Sequence, residues 1–293
     1  MRKTPYQRYA LMDNPFKLEK RKDINMLSML HVKQEMDDVI EDLFFETLEK
    51  NRKALLQVVG ERGIGKTERL LLLESWATEE GTSCCYINAK ERDVFSVVVE
   101  ILNKVSRYKR KWFIDKPGWL RALKSVKQSV MNEKTIDVGK LSDAISGALN
   151  DCSPSFLLLD DFDIDIGMEP NDRFLMQLLW AVFDKAIRGL LIAIAAEKEM
   201  DWITEKIELK GFDGREAELF VAKRLLSERV IAEKLEPLYP FTPDAIRQVN
   251  TLVNGNPGEL MENMANILDA GVARRIGLID KDFVVRVMRR KEE

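Results

Sequence analysis

The most constraining feature of this sequence is the stretch LLQVVGERGIGKTERLL, in which an apolar run leads into a glycine-rich turn and then a helical pattern. The apolar run over 54–59 predicts a short buried strand. The pattern that starts at Lys66 predicts a helix to about Ala77. A strand, a glycine-rich turn and a helix in this order are the setting in which a phosphate-binding loop is expected.

The turn itself fits the spacing G-x-x-x-x-G-K-[ST]. Its glycines allow the backbone to take positive φ and to come close to a phosphate, and the next helix adds its positive end. Lys66 would place its cation on the β- and γ-phosphates, and the Thr67 hydroxyl would ligate Mg²⁺. A strand–turn–helix that matches by chance is the competing interpretation. The residues predicted to bind ATP or ADP are Gly60, Glu61, Arg62, Gly63, Ile64, Gly65, Lys66, Thr67 and Glu68.

Further along the chain, apolar runs alternate with helical patterns. Such alternation predicts a parallel sheet with crossover helices, here an α/β fold with five strands flanked by helices. The remaining strands are predicted over 83–88, 155–160, 189–196 and 206–210, and the helices over 33–50, 93–106, 119–131, 137–149 and 172–187.

After residue 210 the strand patterns stop, and four capping signals predict helix starts. We therefore expect an αβ nucleotide-binding domain over 1–210 and a small all-helical domain over 211–293. The capping signals are Asp213 with Glu216, Thr242 before Pro243, Asn256 before Pro257, and Asp280.

A second group of candidate residues lies in the phrase FLLLDDFD, where an apolar strand ends in two acids. Asp160 could hold Mg²⁺ through water, and Asp161 could orient the attacking water. Many ATPases place a glutamate at the second position, and aspartate reaches about 1.5 Å less far. Because misplacement of that size slows chemistry, we expect slow hydrolysis. The predicted catalytic residues are Lys66, Asp160 and Asp161, and the predicted metal ligands are Thr67 and Asp160.

The order of these parts resembles the AAA+ ATPases, in particular the branch of archaeal and eukaryotic origin-recognition initiators and related transposition ATPases. GERGIGKT is similar to the phosphate loop of that branch, LLLDDFD to its second acid motif, and DNPF with HVKQEMDDVIEDL to the N-terminal segment beside the adenine. FTPDAIRQVNTLVNGNPGELMENMANIL resembles its helical lid. The resemblance covers roughly residues 12–290 and implies a P-loop NTPase that binds ATP and Mg²⁺. It also implies that the winged-helix DNA-binding domain of the initiators is absent, because the sequence ends after the lid.

The positions that sense the nucleotide in that branch depart from its pattern. The first sensor would stand at the end of the fourth strand, where this sequence has Ala195 and Ala196 and the nearest polar residue is Glu197. Gly258 stands where the second sensor is usually an arginine. These departures imply that hydrolysis is slow or depends on a partner. The remaining candidates are Arg274 and Arg275 for the second sensor, and Arg173 and Arg188 for an arginine finger.

A basic and aromatic insert is predicted near 107–135, and over 104–127 its only acid is Asp115. Such a surface could neutralise the phosphates of double-stranded DNA and stack on bases, and inserts in this region of related initiators touch DNA. An acidic protein partner and a solvated face over core aromatics are the alternatives. Its basic residues are Lys104, Arg107, Lys109, Arg110, Lys111, Lys116, Arg121, Lys124 and Lys127, and its aromatic residues are Trp112, Phe113 and Trp119.

Composition argues against several other classes. The net charge of −3 gives no general attraction to nucleic acid or membrane, and no uncharged run reaches the roughly 18–20 residues that cross a bilayer. His31 is the only histidine, and nothing around it supports a catalytic triad. Cys84, Cys85 and Cys152 are few and odd in number, and no signal peptide precedes them. These features predict a reduced, cytoplasmic protein without a membrane partner.

Two functions from different classes remain open. The first is a slow or partner-stimulated ATPase that binds DNA or assembles on it as a homo- or hetero-oligomer, in a replication, recombination or transposition-type role. The second is a nucleotide-gated scaffold or signalling switch that binds a protein partner with little hydrolysis. A small-molecule kinase shares the phosphate loop but fits poorly, because no substrate-binding motif appears.

Overall fold

Two compact units make up the computed structural model of this protein. The sheet unit comprises Gln34–Gly60 and Lys66–Glu208, and the helical unit comprises Met1–Lys33, Glu61–Gly65 and Leu209–Glu293. The structure describes residues 4–17, 24–90, 93–107, 118–133, 137–162, 170–203, 205–230 and 235–292.

The sheet contains β1 (Lys53–Val59), β2 (Ser83–Asn88), β3 (Ser155–Asp160), β4 (Leu190–Ala196) and β5 (Glu205–Glu208). Across the sheet the order is β2-β3-β4-β1-β5, and each neighbouring pair is parallel. All carboxyl ends therefore meet at one edge, where Asn88 stands opposite Asp160 and Val59 stands opposite Ala196. In open sheets of this kind ligands bind beyond that edge.

Helices surround the sheet and form most of the helical unit. In chain order the described helices are α1 (Ile24–Leu30), α2 (Glu35–Glu49), α3 (Lys66–Glu79), α4 (Val94–Val105), α5 (Gly118–Glu133), α6 (Val138–Asp151), α7 (Pro170–Lys185), α8 (Gly214–Ser227), α9 (Pro243–Leu252), α10 (Pro257–Ala273) and α11 (Lys281–Glu292).

The core of the sheet unit is apolar and centred on β3 and β4, whose residues are all buried. Helix α4 contributes residues at helical spacing, among them Val98, Ile101 and Val105, each at most 1% exposed. Strands that are buried on both faces carry continuous apolar runs. This is why the sequence of β3 and β4 shows no alternation.

A buried ion pair in the sheet unit joins the start of α2 to the first turn of α3. The Arg69 guanidinium donates to both carboxylate oxygens of Asp37, at 2.9 and 3.2 Å, and to the Gln34 side-chain oxygen at 2.8 Å. Asp37 also accepts from the Gln34 backbone amide at 2.8 Å, which completes a capping box. The pair therefore fixes the beginning of α2 against the helix that follows the phosphate loop.

The helical unit has its own core, to which the N-terminal segment contributes. Tyr9, Leu11 and Phe16 are at most 1% exposed and pack among residues of the C-terminal helices. The Tyr9 hydroxyl donates to the Ile276 carbonyl at 2.7 Å, and the Tyr6 hydroxyl donates to the Asp269 carboxylate at 2.5 Å. A short 3₁₀ helix, Pro5–Tyr9, presents these tyrosines.

The α/β class with a five-stranded parallel sheet, flanked by helices and followed by a helical part, is confirmed. All four capping signals are confirmed, because each of these side chains accepts a backbone N–H at the start of its helix. The sequence did not predict the 3₁₀ helix or α1, and α7 ends two residues earlier than expected, at Lys185. The predicted boundary at 210 lies close to Leu209, but the helical unit also takes in the N-terminal segment and part of the phosphate loop.

The three cysteines form no disulfide, and Cys84 and Cys85 alternate along β2, with Cys85 fully buried. Adjacent strand residues point to opposite faces, which explains why these two do not pair. Within the ranges that the structure describes, no helix combines the length and apolarity needed to cross a membrane.

Candidate functional site

The glycine-rich loop leaves the carboxyl end of β1 and enters α3. Gly63 and Gly65 have φ of +85° and +107°, a backbone conformation that side chains with a Cβ rarely adopt. Ile64 is 5% exposed and its amide donates to the Glu61 carbonyl at 3.3 Å, whereas Arg62 is exposed. The loop therefore needs glycines on both sides of its one buried side chain.

Lys66 and Thr67 open α3, immediately after the loop. The amide groups in the first turn of a helix lack intrahelical acceptors and attract anions. Lys66 is 7% exposed, and its ammonium donates to the Gly60 carbonyl at 2.6 Å, so it is held beside the loop backbone. Thr67 is exposed, and Glu68 follows it in the first turn.

Asp160 is fully buried at the end of β3, and three donors converge on its carboxylate. Oδ1 accepts the Thr67 hydroxyl at 3.1 Å and the Asp161 amide at 3.0 Å. Oδ2 accepts the Tyr86 hydroxyl at 2.6 Å. Burial raises the pKa of Asp160 above its ordinary value, although the Tyr86 hydrogen bond opposes this. Burial, and then the bond to Asp160, also raise the pKa of Tyr86, which keeps its hydroxyl a donor.

Asp161 lies next to this carboxylate in a left-handed backbone conformation, with φ of +50°. One oxygen of its carboxylate accepts the Asn88 side-chain amide at 3.1 Å. Aspartate and asparagine tolerate this conformation better than longer residues, because their short polar side chains can bond locally. The backbone therefore gives a reason for aspartate, rather than glutamate, at this position.

Within the helical unit, the start of α10 contacts the loop residues Glu61–Gly65. The Asn256 side-chain amide donates to the Arg62 carbonyl at 2.8 Å, and the Gly258 backbone amide donates to the Gly63 carbonyl at 3.0 Å. A Cβ at Gly258 would lie 3.0 Å from Gly63 Cα and 3.1 Å from its oxygen. The position predicted to lack the second sensor arginine is thus packed backbone to backbone against the loop.

The last two residues of β4, where the first sensor was predicted to stand, are buried alanines. Ala195 and Ala196 are at most 1% exposed, and the Ala195 carbonyl accepts the Phe162 amide at 2.9 Å. Glu197 is exposed, as are the four arginines that the sequence offered, namely Arg173, Arg188, Arg274 and Arg275.

The basic insert is described in part. Arg121 and Lys124 are exposed and Lys127 is half-buried on α5, whereas Leu123 and Val130 of the same helix are 2% exposed. Arg107 is exposed after α4. Lys104, in contrast, pairs with Glu100 at 3.4 Å and donates to the Tyr86 carbonyl, so it serves the fold around β2. Lys109, Arg110, Lys111, Trp112, Phe113, Asp115 and Lys116 and the side chain of Trp119 lie outside the described residues.

The donor set at this edge of the sheet fits Mg²⁺ with a nucleotide. Mg²⁺ prefers oxygen ligands and is usually held by one or two carboxylates together with substrate phosphates and water. The Thr67 hydroxyl and the Asp160 carboxylate, 3.1 Å apart, supply such oxygens directly after the loop. Across the described ranges, no group of three or more His, Cys, Asp or Glu side chains is arranged to hold a metal. An ion at this position would thus depend on phosphate oxygens for the rest of its shell.

Two residues of this cluster, Tyr86 and Asn88, were missed by sequence reasoning. The sequence predicts a strand over 83–88 and assigns no role to these two side chains. The available signal was their spacing, because positions two apart in a strand share a face. Their position beside the acids follows from β2 lying next to β3, which the sequence alone does not fix.

Comparison with solved structures identifies the fold. Drosophila ORC bound to DNA is similar, with a TM-score of 0.55 and 13% identity over 98% of this chain and 69% of that chain. Aeropyrum pernix ORC1 in complex with DNA has a TM-score of 0.56 and 14% identity over 92% and 70%. Domain III of the Thermotoga maritima replication initiation protein DnaA has a TM-score of 0.55 and 14% identity over 91% and 97%.

No protein-family model matches the chain, and no curated protein matches it by sequence. At identities this low the structural likeness shows the fold alone. This chain has the fold of these three structures, so the resemblance drawn from the sequence is confirmed at the level of the fold.

Proposed function

We propose that this chain binds ATP with Mg²⁺ on its phosphate loop and hydrolyses it slowly. The observation that carries the proposal is the hydrogen bond between Thr67, the second residue of α3, and Asp160, which ends β3. It joins the hydroxyl that follows a glycine-rich loop to a buried carboxylate, the pair of oxygens that a nucleotide-bound Mg²⁺ requires.

In this proposal each residue has a separate task. The loop amides and the first turn of α3 bind the phosphate oxygens, and Lys66 exchanges its bond to the Gly60 carbonyl for bonds to the β- and γ-phosphates. Thr67 and Asp160 hold the ion, which when bound neutralises charge on the phosphates. Asp161 orients the attacking water, and release of its bond to Asn88 frees the carboxylate for that task.

Slow turnover is supported by what surrounds the acids. Alanines end β4 where a polar sensor would contact the γ-phosphate in the branch that the sequence resembles. Any side chain at position 258 would require the backbone at Gly63 to shift by a few tenths of an ångström, because its Cβ would lie 3.0 Å from Gly63 Cα. Rates depend steeply on such positioning and charge stabilisation. A partner chain that supplies an arginine would raise the rate, which fits an oligomeric, cytoplasmic ATPase.

Replacing Asp161 by asparagine tests hydrolysis separately from binding. We expect the variant to keep its affinity for ATP, because asparagine also tolerates the left-handed conformation at this position. Hydrolysis should fall at least about a hundredfold, since an amide cannot accept the proton of the attacking water. Phosphate release and equilibrium ATP binding measure the two effects. Equal turnover by Asp161→Asn and the unmodified chain would remove Asp161 from the mechanism.

We further propose that double-stranded DNA binds to the basic face of α5, defined by exposed Arg121 and Lys124 and half-buried Lys127, together with Arg107. Within the described part of the insert, Arg107, Arg121 and Lys124 are exposed, whereas Lys127 is half-buried beside the buried side that carries Leu123 and Val130. Contacts of this kind bind phosphates without reading sequence. Two of the similar structures, Drosophila ORC and Aeropyrum pernix ORC1, contain DNA.

Changing Arg121, Lys124 and Lys127 together to glutamine tests the DNA proposal. We expect DNA affinity to fall and the slope of log affinity against log salt to lose about 2.7, or 0.9 for each lost phosphate contact. A control with the same loss of charge changes exposed Lys50, Arg188 and Lys281 to glutamine. If both triple variants keep the slope of the unmodified chain, this face of α5 does not bind DNA.

The second candidate function is a nucleotide-held scaffold that binds an acidic protein partner. The same observations that support slow turnover favour it, namely the apolar end of β4 and the closed packing at Gly258. The scaffold and the DNA-binding ATPase can be told apart by measurement. For a scaffold, DNA would neither bind to the α5 face nor change the rate of ATP hydrolysis.

A further inference from the structure

The hydroxyl of Tyr86 reaches from one strand to the carboxylate that ends the next. Tyr86 lies in β2, two residues before Asn88, which stands opposite Asp160 in the parallel register with β3. Its hydroxyl donates to Asp160 Oδ2 at 2.6 Å, the shortest of the three hydrogen bonds that the carboxylate accepts. A tyrosine is long enough to make this diagonal contact, whereas the shorter polar residues common in strands are not.

Three elements together fix the plane of this carboxylate. Thr67 approaches Oδ1 from α3, the Asp161 amide approaches it from the chain that follows β3, and Tyr86 approaches Oδ2 from β2. An ionised carboxylate has about four lone-pair sites, so acceptor capacity remains for water on an ion. Without Tyr86, both remaining donors act on Oδ1, and Oδ2 loses its protein partner among the described residues.

Tyr86 is itself held in place by Lys104, near the end of α4. The Lys104 ammonium donates to the Tyr86 backbone carbonyl and lies 5.9 Å from the centre of its ring. Glu100, one turn earlier on α4, pairs with the same ammonium at 3.4 Å. A basic residue that the sequence assigned to a DNA-binding insert therefore supports the strand beside the acids.

We propose that Tyr86 is a positioning residue for Mg²⁺, which acts by orienting Asp160, and that Lys104 supports it in this task. The inference rests on the proposed function, because it assigns Tyr86 a role at the same site. Groups that hydrogen-bond to metal ligands orient them, and their loss usually costs about 10–100-fold in metal affinity. A tyrosine that merely fills the core would affect folding and not the response to the ion.

The test is a Mg²⁺ titration of ATP affinity, measured by equilibrium binding for the unmodified chain and for Tyr86→Phe. Phenylalanine keeps the ring and removes the hydroxyl. We expect the Mg²⁺ concentration for half-maximal enhancement of ATP binding to rise about tenfold, while affinity in EDTA stays unchanged. Tyr9→Phe is the matched control, because it removes a hydroxyl bonded to the Ile276 carbonyl in the helical unit.

Lys104→Gln is the second variant, and it tests the proposal independently if Tyr86→Phe fails to fold. It keeps the Tyr86 hydroxyl and should shift the Mg²⁺ titration in the same direction by a smaller factor. The inference is overturned if Tyr86→Phe titrates like the unmodified chain, or if it loses ATP affinity equally with Mg²⁺ and with EDTA. Either result leaves the proposed function standing. Absence of ATP binding by the unmodified chain would instead remove the proposed function and this inference together.

Discussion

Replacing Lys66 by alanine is expected to lower the affinity for ATP about a hundredfold and to abolish measurable hydrolysis. A charge-assisted hydrogen bond contributes about 1.5–3 kcal/mol, and each 1.4 kcal/mol is a factor of ten in affinity. Lys66 is 7% exposed and held beside the loop, so its ammonium needs little rearrangement to reach a phosphate. The lost hydrolysis follows because the same cation stabilises the charge that develops on the transferred phosphoryl group.

Isothermal titration with ATP and a phosphate-release assay measure the two effects of Lys66→Ala. Lys281→Ala is the control, because it removes the same charge from an exposed position on α11. Thermal unfolding of both variants checks that the fold is retained. If Lys66→Ala binds ATP as tightly as Lys281→Ala does, nucleotide does not bind at this loop.

The second large effect concerns stability, at the buried ion pair of Arg69 and Asp37. Replacing Asp37 by leucine is expected to lower the free energy of unfolding by about 3–5 kcal/mol, because it leaves a buried guanidinium without its charged partner. The arginine and aspartate side chains are 2% and 6% exposed, so water cannot replace the lost partner. The capping box of α2 is lost as well, since Asp37 accepts the Gln34 amide.

A double-mutant cycle separates the ion pair from general damage to α2. The Arg69→Met change alone should also destabilise, whereas the double variant with Asp37→Leu should recover to within about 1–2 kcal/mol of the unmodified chain. Urea unfolding followed by circular dichroism measures all four proteins. A double variant whose loss equals the sum of the single losses would show that the two side chains contribute independently.

The strands of the sheet unit and several helix starts could be predicted from the sequence because local patterns determine them. Strands β3 and β4 are buried on both faces, so their apolar runs are continuous and end at turn residues or acids. The helix starts at Asp213, Thr242 and Asn256 could be predicted because a capping side chain acts within three residues of itself.

What could not be predicted depends on contacts between distant parts of the chain. Tyr9 and Phe16 lie in a segment without periodicity, and they become core residues because they pack among the C-terminal helices. The left-handed conformation of Asp161 suits aspartate but cannot be predicted from it, because aspartate also adopts ordinary backbone conformations. Likewise, the packing of Gly258 against Gly63 joins residues far apart in sequence, so the sequence alone could not show this contact.

In the candidate site, residues in local motifs could be predicted from the sequence, whereas residues brought in by distant parts of the chain could not. The spacing from Gly60 to Thr67 is local and could be recognised directly. The acids could be recognised because they end an apolar run. Tyr86 and Lys104, which complete the surroundings of Asp160, became visible only with the strand order and the packing of α4 beside β2.

The most direct test of the central claim is equilibrium binding of ATP to the unmodified chain, measured in parallel with Mg²⁺ and with EDTA. The account predicts one ATP bound per chain and tighter binding when Mg²⁺ is present, because Thr67 and Asp160 supply its protein oxygens. Absence of ATP binding in both conditions would contradict the account, and the strand, loop and helix from Leu55 to Leu71 would then be a structural turn without a nucleotide.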